Sequence, residues 1–162
     1  MKLNLCFGII SVVLYALSVQ AETVRVADGD SLEIGERRIR LDGIDAPEFT
    51  QICQTSDGKN YNCGIEALHY LESLTAGKDI NCRCLPEKDR YHRELCECFA
   101  DNLSLNKAMT EAGWAVAYRD KTYLPAEKSA KQNKRGIWQG KNMRPAIYRI
   151  LHEAEQQTKT AP

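Results

Sequence analysis

Two Cys-x-Cys pairs, Cys82-Arg83-Cys84 and Cys96-Glu97-Cys98, constrain this chain more tightly than any other feature. Alternate residues of a strand share a face. If segments 79–85 and 94–100 pair antiparallel, Cys82 therefore faces Cys98 and Cys84 faces Cys96, all on one side of the sheet. Two chemistries compete for four such thiols. Oxidised, they form two disulfides of structural role; deprotonated, they could hold a zinc ion. Cys-x-Cys is less typical of zinc than Cys-x-x-Cys, and the start of the chain favours oxidation.

That start reads as a secretory signal. Met1-Lys2 gives a positive end, Leu3 to Leu17 is almost wholly apolar, and Val19-Gln20-Ala21 offers small residues for cleavage before Glu22. The apolar run is short for a membrane span of about 20 residues, and Cys6 lies too early in it for lipid attachment. Removal of residues 1–21 leaves six cysteines, an even number that allows 15 connectivities. Cys53 with Cys63 would close the polar loop between them. The expected organisation is a signal peptide over 1–21, one domain over 22–150 and a polar tail over 151–162, with the residues after Arg149 helical at first and frayed at the end. The product is expected in the periplasm or outside the cell, without stable membrane association and as a monomer.

Thr23 to Ala27, Ser31 to Ile34 and Arg38 to Leu41 predict short strands punctuated by Gly29 and Gly35. Gly64 to Ala76 carries Ala67, Leu68, Leu71 and Leu74 at helical spacing and stops at Gly77. Asp79 to Leu85 and Glu94 to Ala100 predict strands around a charged loop, and Leu103 to Ala112 a second helix. Trp114 to Tyr118 predicts a further short strand, and Pro125 to Arg135 a third helix ended by Gly136. Residues 48–62 read as loop. The class is α+β, mainly β: a five-stranded, partly open OB-type barrel with about three helices, a form whose face suits oligonucleotides.

The chemistry concentrates between Asp28 and Glu48, in Asp28-Gly29-Asp30-Ser31 and Arg40-Leu41-Asp42-Gly43-Ile44-Asp45-Ala46-Pro47-Glu48. Asp30 and Asp45 are hard oxygen donors suited to Ca²⁺ or Mg²⁺. Arg40 is a planar fork suited to phosphate, and Glu48 could reach the same place without being forced onto a metal. Asp89-Arg90-Tyr91-His92-Arg93-Glu94-Leu95 would bring a second guanidinium, Arg93, to stabilise extra negative charge on phosphorus. Net charge is zero, or −1 once Lys2 is removed, which is unlike a nonspecific nucleic-acid binder. The charge is segregated, however: nine Lys or Arg lie from Arg119 to Arg149 against Asp120 and Glu127.

These patches, in this order, with Asn106, Gly113-Trp114-Ala115 and Gly136-Ile137-Trp138, resemble the thermonuclease family, the staphylococcal-nuclease-like domains. The resemblance spans about Val24 to Arg149, and the cysteine placement is similar to the exported bacterial branch. It implies a Ca²⁺-dependent hydrolase, with Mg²⁺ the less favoured metal, that acts on DNA and RNA, single-stranded chains first and duplex DNA as a further candidate, leaving 3′-phosphate ends. By motif, Asp30, Asp45 and the Ala46 backbone carbonyl correspond to the metal ligands. Glu48 corresponds to the carboxylate that activates or orients water, and Arg40 and Arg93 to the phosphate-clamping arginines. All five catalytic side chains are present, which argues against a binding-only copy.

The family has glycine where His92 stands, so a positive φ there would strain His92 modestly. Tyr118 and Tyr123, entering the basic third, are candidates for stacking on a base. Trp114 and Trp138 read as core residues, and the Lys128, Lys131, Lys134, Arg135 series as a solvated helix face.

Overall fold

Val24–Asp28 (β1), Ser31–Ile34 (β2) and Arg37–Leu41 (β3) form an antiparallel meander in the computed structural model, which describes residues 22–119 and 121–160. The expected signal peptide, Cys6 within it, and Asp120 lie outside those residues. Strand alternation decides what each face does: Leu32, Ile34, Ile39 and Leu41 point into the core. Then come Ile44–Asp45 (β4), a hairpin of Ile52–Gln54 (β5) and Asn60–Asn62 (β6), and helix α1, Cys63–Thr75. Ile80–Lys88 (β7), Glu94–Ala100 (β8) and Leu103–Ser104 (β9) lead to α2, Leu105–Glu111. Val116–Ala117 (β10), α3 (Leu124–Gln132), a 3₁₀ turn (Gly136–Gln139) and α4 (Pro145–Thr160) complete the chain.

The main sheet runs β1-β2-β3-β8-β7 and curls into a half-barrel, with β3 and β8 parallel and β9 added beside β8. This is the expected α+β, OB-like architecture, with α4 as a fourth helix. In the β7/β8 pair Cys82 stands opposite Cys98 and Cys84 opposite Cys96. Both pairs are disulfides, and Cys53–Cys63 is the third, so the cysteines are spent on covalent bracing rather than on zinc.

Two segments differ from the sequence reading, for physical reasons. Residues 48–62 contain the β5/β6 hairpin, each strand only three residues long and too polar to signal itself. The strand expected over Trp114 to Tyr118 shrinks to Val116–Ala117, which pairs with β4. Its first residues are consumed in closing α2: the Trp114 and Ala115 amides both donate to the Met109 carbonyl, at 2.9 and 3.2 Å. α4 begins at Pro145 and runs across the expected boundary at residue 150. No helix of the described residues is long and apolar enough to cross a membrane.

Most of the core lies between the sheet and helices α1 and α2, with Leu32, Ile39, Leu41, Ile44, Leu71, Leu105 and Met109 at most 1% exposed. A second cluster gathers Cys53, Cys63, Val116 and Ile137, flanked by Trp114 and Trp138. Asn106, fully buried, accepts from the Cys98 amide at 3.1 Å and donates to the Asp42 carbonyl at 2.8 Å. It thereby ties β8 to the turn that leads into β4. Gly113 and Gly136 both take positive φ, and the Ile137 amide donates to the Gly113 carbonyl at 3.0 Å, a backbone approach that a side chain would block.

Glu127 on α3 is 2% exposed and accepts from the Ala117 amide at 2.7 Å, beside Lys131 and Arg144. Burial works against its charge, but Lys131, the Ala117 amide and Arg144 outweigh it and hold the carboxyl below its usual range. A depressed folded pKa stabilises the fold above the ordinary Glu range and loses that contribution as pH falls through the folded value. Glu127→Gln should therefore cost about 1–3 kcal/mol near neutral pH and less in acid. Denaturant unfolding at several pH values checks this; an equal cost at every pH would contradict it.

Candidate active site

The β2/β3 hairpin places Ser31 opposite Arg40, so Asp30, one residue before β2, meets the Arg40 side chain. Arg40 Nη1 lies 2.6 Å from Asp30 Oδ2, and Nη2 lies 3.1 Å from Asp45 Oδ1. The parallel β3/β8 pairing sets Arg40 beside Leu95, which brings Arg93, just before β8, to the same end of the sheet. Arg93 Nη1 donates to Ser31 Oγ at 3.0 Å, and its Nε donates to Asp89 Oδ2 at 2.8 Å. The loop that carries it turns at His92, whose φ of 61° is the positive value anticipated for that position. Asp89 in turn accepts from the Tyr91 and Arg93 amides, so this guanidinium is set by a pre-formed turn.

Asp45 sits in β4 with no exposure at all. Asp30 is 7% exposed and accepts from the Ala46 amide at 3.0 Å and from Ser31 Oγ at 3.1 Å. Glu48 stands in the turn beyond Pro47, where its amide donates to Gln51 Oε1 and its carbonyl accepts from the Gln51 amide. That turn presses on the start of α1. A Cβ on Gly64 would lie 1.9 Å from the Glu48 carbonyl oxygen and 2.9 Å from Phe49 Cα. Gly64→Ala should accordingly displace the Glu48 turn, cost about 1–3 kcal/mol in unfolding free energy and slow the reaction proposed below. Unchanged unfolding and unchanged rate together would rule this packing out.

Asp30, Arg40, Glu48 and Arg93 line one cleft of about 680 Å³, with Asp28, Asp89, Tyr91, Tyr118 and Arg119 around it, and the buried Asp45 carboxylate pairs with Arg40 without lining the cleft itself. It carries an excess of buried negative charge. Asp28 is pushed up to about 6, by burial first and then by the neighbouring Asp30 charge. Burial, aided by Asp30, also raises Asp45 against the opposing pull of Arg149 and Arg40. Arg40 loses hydration on burial, but Asp30 and Asp45 more than compensate and hold its charge more firmly. An anionic, all-oxygen donor set of Asp30 and Asp45 fits a hard divalent cation. Arg40 Nη1 pairs electrostatically with Asp30 without an aligned hydrogen bond, which leaves donor capacity on the guanidinium.

The family model described as staphylococcal nuclease homologue matches residues 38–140. The chain belongs to that family. Similar proteins include the succinoglycan biosynthesis protein ExoI of Rhizobium meliloti (strain 1021), 39% identical over 119 residues that make up 70% of this chain and 61% of that protein. A protein of Escherichia coli O157:H7 named as an uncharacterized endonuclease is 33% identical over 129 residues, 74% of this chain and 77% of its own length. The chain thus spans less than two thirds of ExoI and about three quarters of the endonuclease.

Within this staphylococcal nuclease homologue, Asp30, Arg40, Glu48 and Arg93, drawn from three stretches of the sequence, line the cleft, and the buried Asp45 joins them through Arg40. Tyr118 lines it as well, with the Arg119 guanidinium 5.1 Å from its ring centroid. Tyr123 does not: it is 7% exposed, belongs to the core and donates its hydroxyl to Glu97 Oε1 at 3.3 Å, which leaves no free ring face for a base. Trp114 and Trp138, expected in the core, are partly buried against its second cluster, and Lys131 Nζ lies 4.4 Å from the Trp138 ring centroid.

Sequence reasoning did not single out Arg149. From α4 its guanidinium enters the cleft, with Nη2 3.0 Å from Asp45 Oδ2 and Nη1 2.5 Å from Glu48 Oε1. In sequence it is one of nine basic residues in the last third of the chain, and nothing local distinguishes it.

Proposed function

We propose that the chain is an exported, metal-dependent nuclease that hydrolyses phosphodiester bonds of DNA and RNA. The observation that carries the reading is the gathering of Asp30, Arg40, Glu48 and Arg93 in one cleft, with the buried Asp45 paired to Arg40. Asp30 and Asp45, with the Ala46 carbonyl, would hold a divalent cation, Ca²⁺ by family resemblance, which supplies Lewis-acid polarisation of the phosphate. Glu48 takes a proton from a water aligned with phosphorus, or orients that water. The water oxygen bonds to phosphorus as the bond to the 5′ oxygen breaks. The leaving 5′ oxygen takes a proton from solvent water and ends as a hydroxyl, and the 3′ side keeps the phosphate. Arg40 and Arg93 donate to the phosphate oxygens, where negative charge accumulates. Tyr118 offers a ring to a neighbouring base.

The proposal includes residues 1–21 as a cleaved leader, a catalytic domain from Glu22 to about residue 150, and a monomeric product. Three disulfides support an oxidising compartment. The deciding experiment mixes the oxidised mature chain with single-stranded DNA or RNA, with Ca²⁺, with Mg²⁺ or with chelator. Cleavage that needs the metal and leaves 3′-phosphate ends is expected. Salt-sensitive binding without cleavage would instead make the chain a binding module, and neither would remove nucleic acid as the substrate.

A further inference from the structure

The family match ends at residue 140, yet the cleft is completed by a residue beyond it. Helix α4 is docked where it can act on the chemistry. Gln51, fully buried, donates through Nε2 to the Met143 carbonyl at 2.7 Å while its own Oε1 accepts from the Glu48 amide. Tyr148 donates to the Thr50 carbonyl at 3.2 Å. Arg144 donates to the Ala117 carbonyl at 3.2 Å, on the strand that pairs with β4. The start of α4 is thus pinned to the Glu48 turn on one side and to the partner of the Asp45 strand on the other. These anchors aim Arg149 between the two carboxylates.

We propose that Arg149 is a positioning residue of the hydrolytic site, a third guanidinium that sets the Glu48 carboxylate and competes for the Asp45 carboxylate that would hold the cation. The proposal rests on the nuclease reading given above. Glu48 lies on a turn with its side chain 39% exposed, and among the described residues Arg149 is the hydrogen-bond partner of its carboxylate. A pair this open contributes little to stability. Its consequence is orientational: a planar fork with one nitrogen on each carboxylate fixes where the Glu48 oxygen stands relative to Asp45. The same placement carries an opposing effect. A tethered positive charge within hydrogen-bond distance of a metal-ligating carboxylate repels a divalent cation there.

The two effects give Arg149→Gln a signature that a structural role would not produce. Calorimetric titration of the whole mature chain with CaCl₂, without nucleic acid, should show metal binding about tenfold tighter or more. Cleavage of single-stranded DNA at saturating Ca²⁺ should fall about tenfold or more, because Glu48 is no longer held. Arg149→Lys keeps the charge but not the fork: its Ca²⁺ affinity should stay within about twofold of wild type while its rate stays low. Loss of affinity and rate together would reduce Arg149 to a structural strut. A rise in both would make α4 an inhibitory strap, and no change in either would make the contact incidental; each of these three outcomes overturns the proposal. If the wild-type chain binds Ca²⁺ but cuts nothing, the nuclease reading fails while the affinity comparison still tests the contact. Absence of Ca²⁺ binding in wild type and both variants would overturn the shared metal site and this proposal together.

Discussion

Glu48→Gln should lower the rate of nucleic-acid cleavage by about 10²–10⁴, the range ordinarily lost with a positioned general base. The substitution keeps the size and the hydrogen-bonding oxygen of the side chain while removing its charge. Little else should change, because the fold uses the Glu48 backbone rather than its carboxylate: the amide and carbonyl both bond to Gln51, and the side chain is 39% exposed. Asp30 and Asp45, the proposed metal ligands, keep their own partners, so the variant should still bind Ca²⁺. Single-turnover cleavage at saturating metal, with calorimetry and thermal unfolding on the same protein, separates these quantities. A rate within a few-fold of wild type would remove Glu48 from the chemistry and reduce it to an anchor for Arg149.

How far the site could be read from sequence depends on how local its signals are. Asp30 and Arg40 were legible from residue type within two short motifs, while the β2/β3 register that sets Ser31 opposite Arg40 and so brings them together is seen in the structure. The cysteine ladder was legible for a related reason: two Cys-x-Cys pairs on neighbouring antiparallel strands can match on one face only as Cys82 with Cys98 and Cys84 with Cys96. Arg93 was readable through its family motif, although the parallel β3/β8 pairing that carries it to Arg40 has no local signature. Tyr123 was misread because an aromatic beside a basic stretch is the same pattern whether the ring faces solvent or core; Glu97 on β8, which takes its hydroxyl, is 26 residues away in sequence. Arg149 was hidden by a longer separation still. It meets Glu48 across 101 residues and Asp45 across 104, and its own neighbourhood shows only an amphipathic helix with scattered charges.

Arg40→Lys should cost about 10²-fold or more in cleavage rate while leaving the protein folded. Arg40 is held by two carboxylates at once, Asp30 at 2.6 Å and Asp45 at 3.1 Å, and its side chain is only 13% exposed. A lysine at this position carries the same charge, so the two buried carboxylates are not left facing each other uncompensated. An ammonium is nonetheless a point donor without the fork, and it cannot span both carboxylates and also offer a second nitrogen to a phosphate oxygen. Arg40→Ala is the contrasting case. It strips the countercharge from Asp30 and Asp45, whose burial already pushes Asp45 up, and should destabilise the fold by about 3–5 kcal/mol, as loss of one partner from a buried ion pair does. Cleavage kinetics and denaturant unfolding on the two variants distinguish the roles. A lysine variant with near wild-type rate would show that charge alone suffices there, and an alanine variant of wild-type stability would show that Asp30 and Asp45 do not depend on Arg40 for their burial.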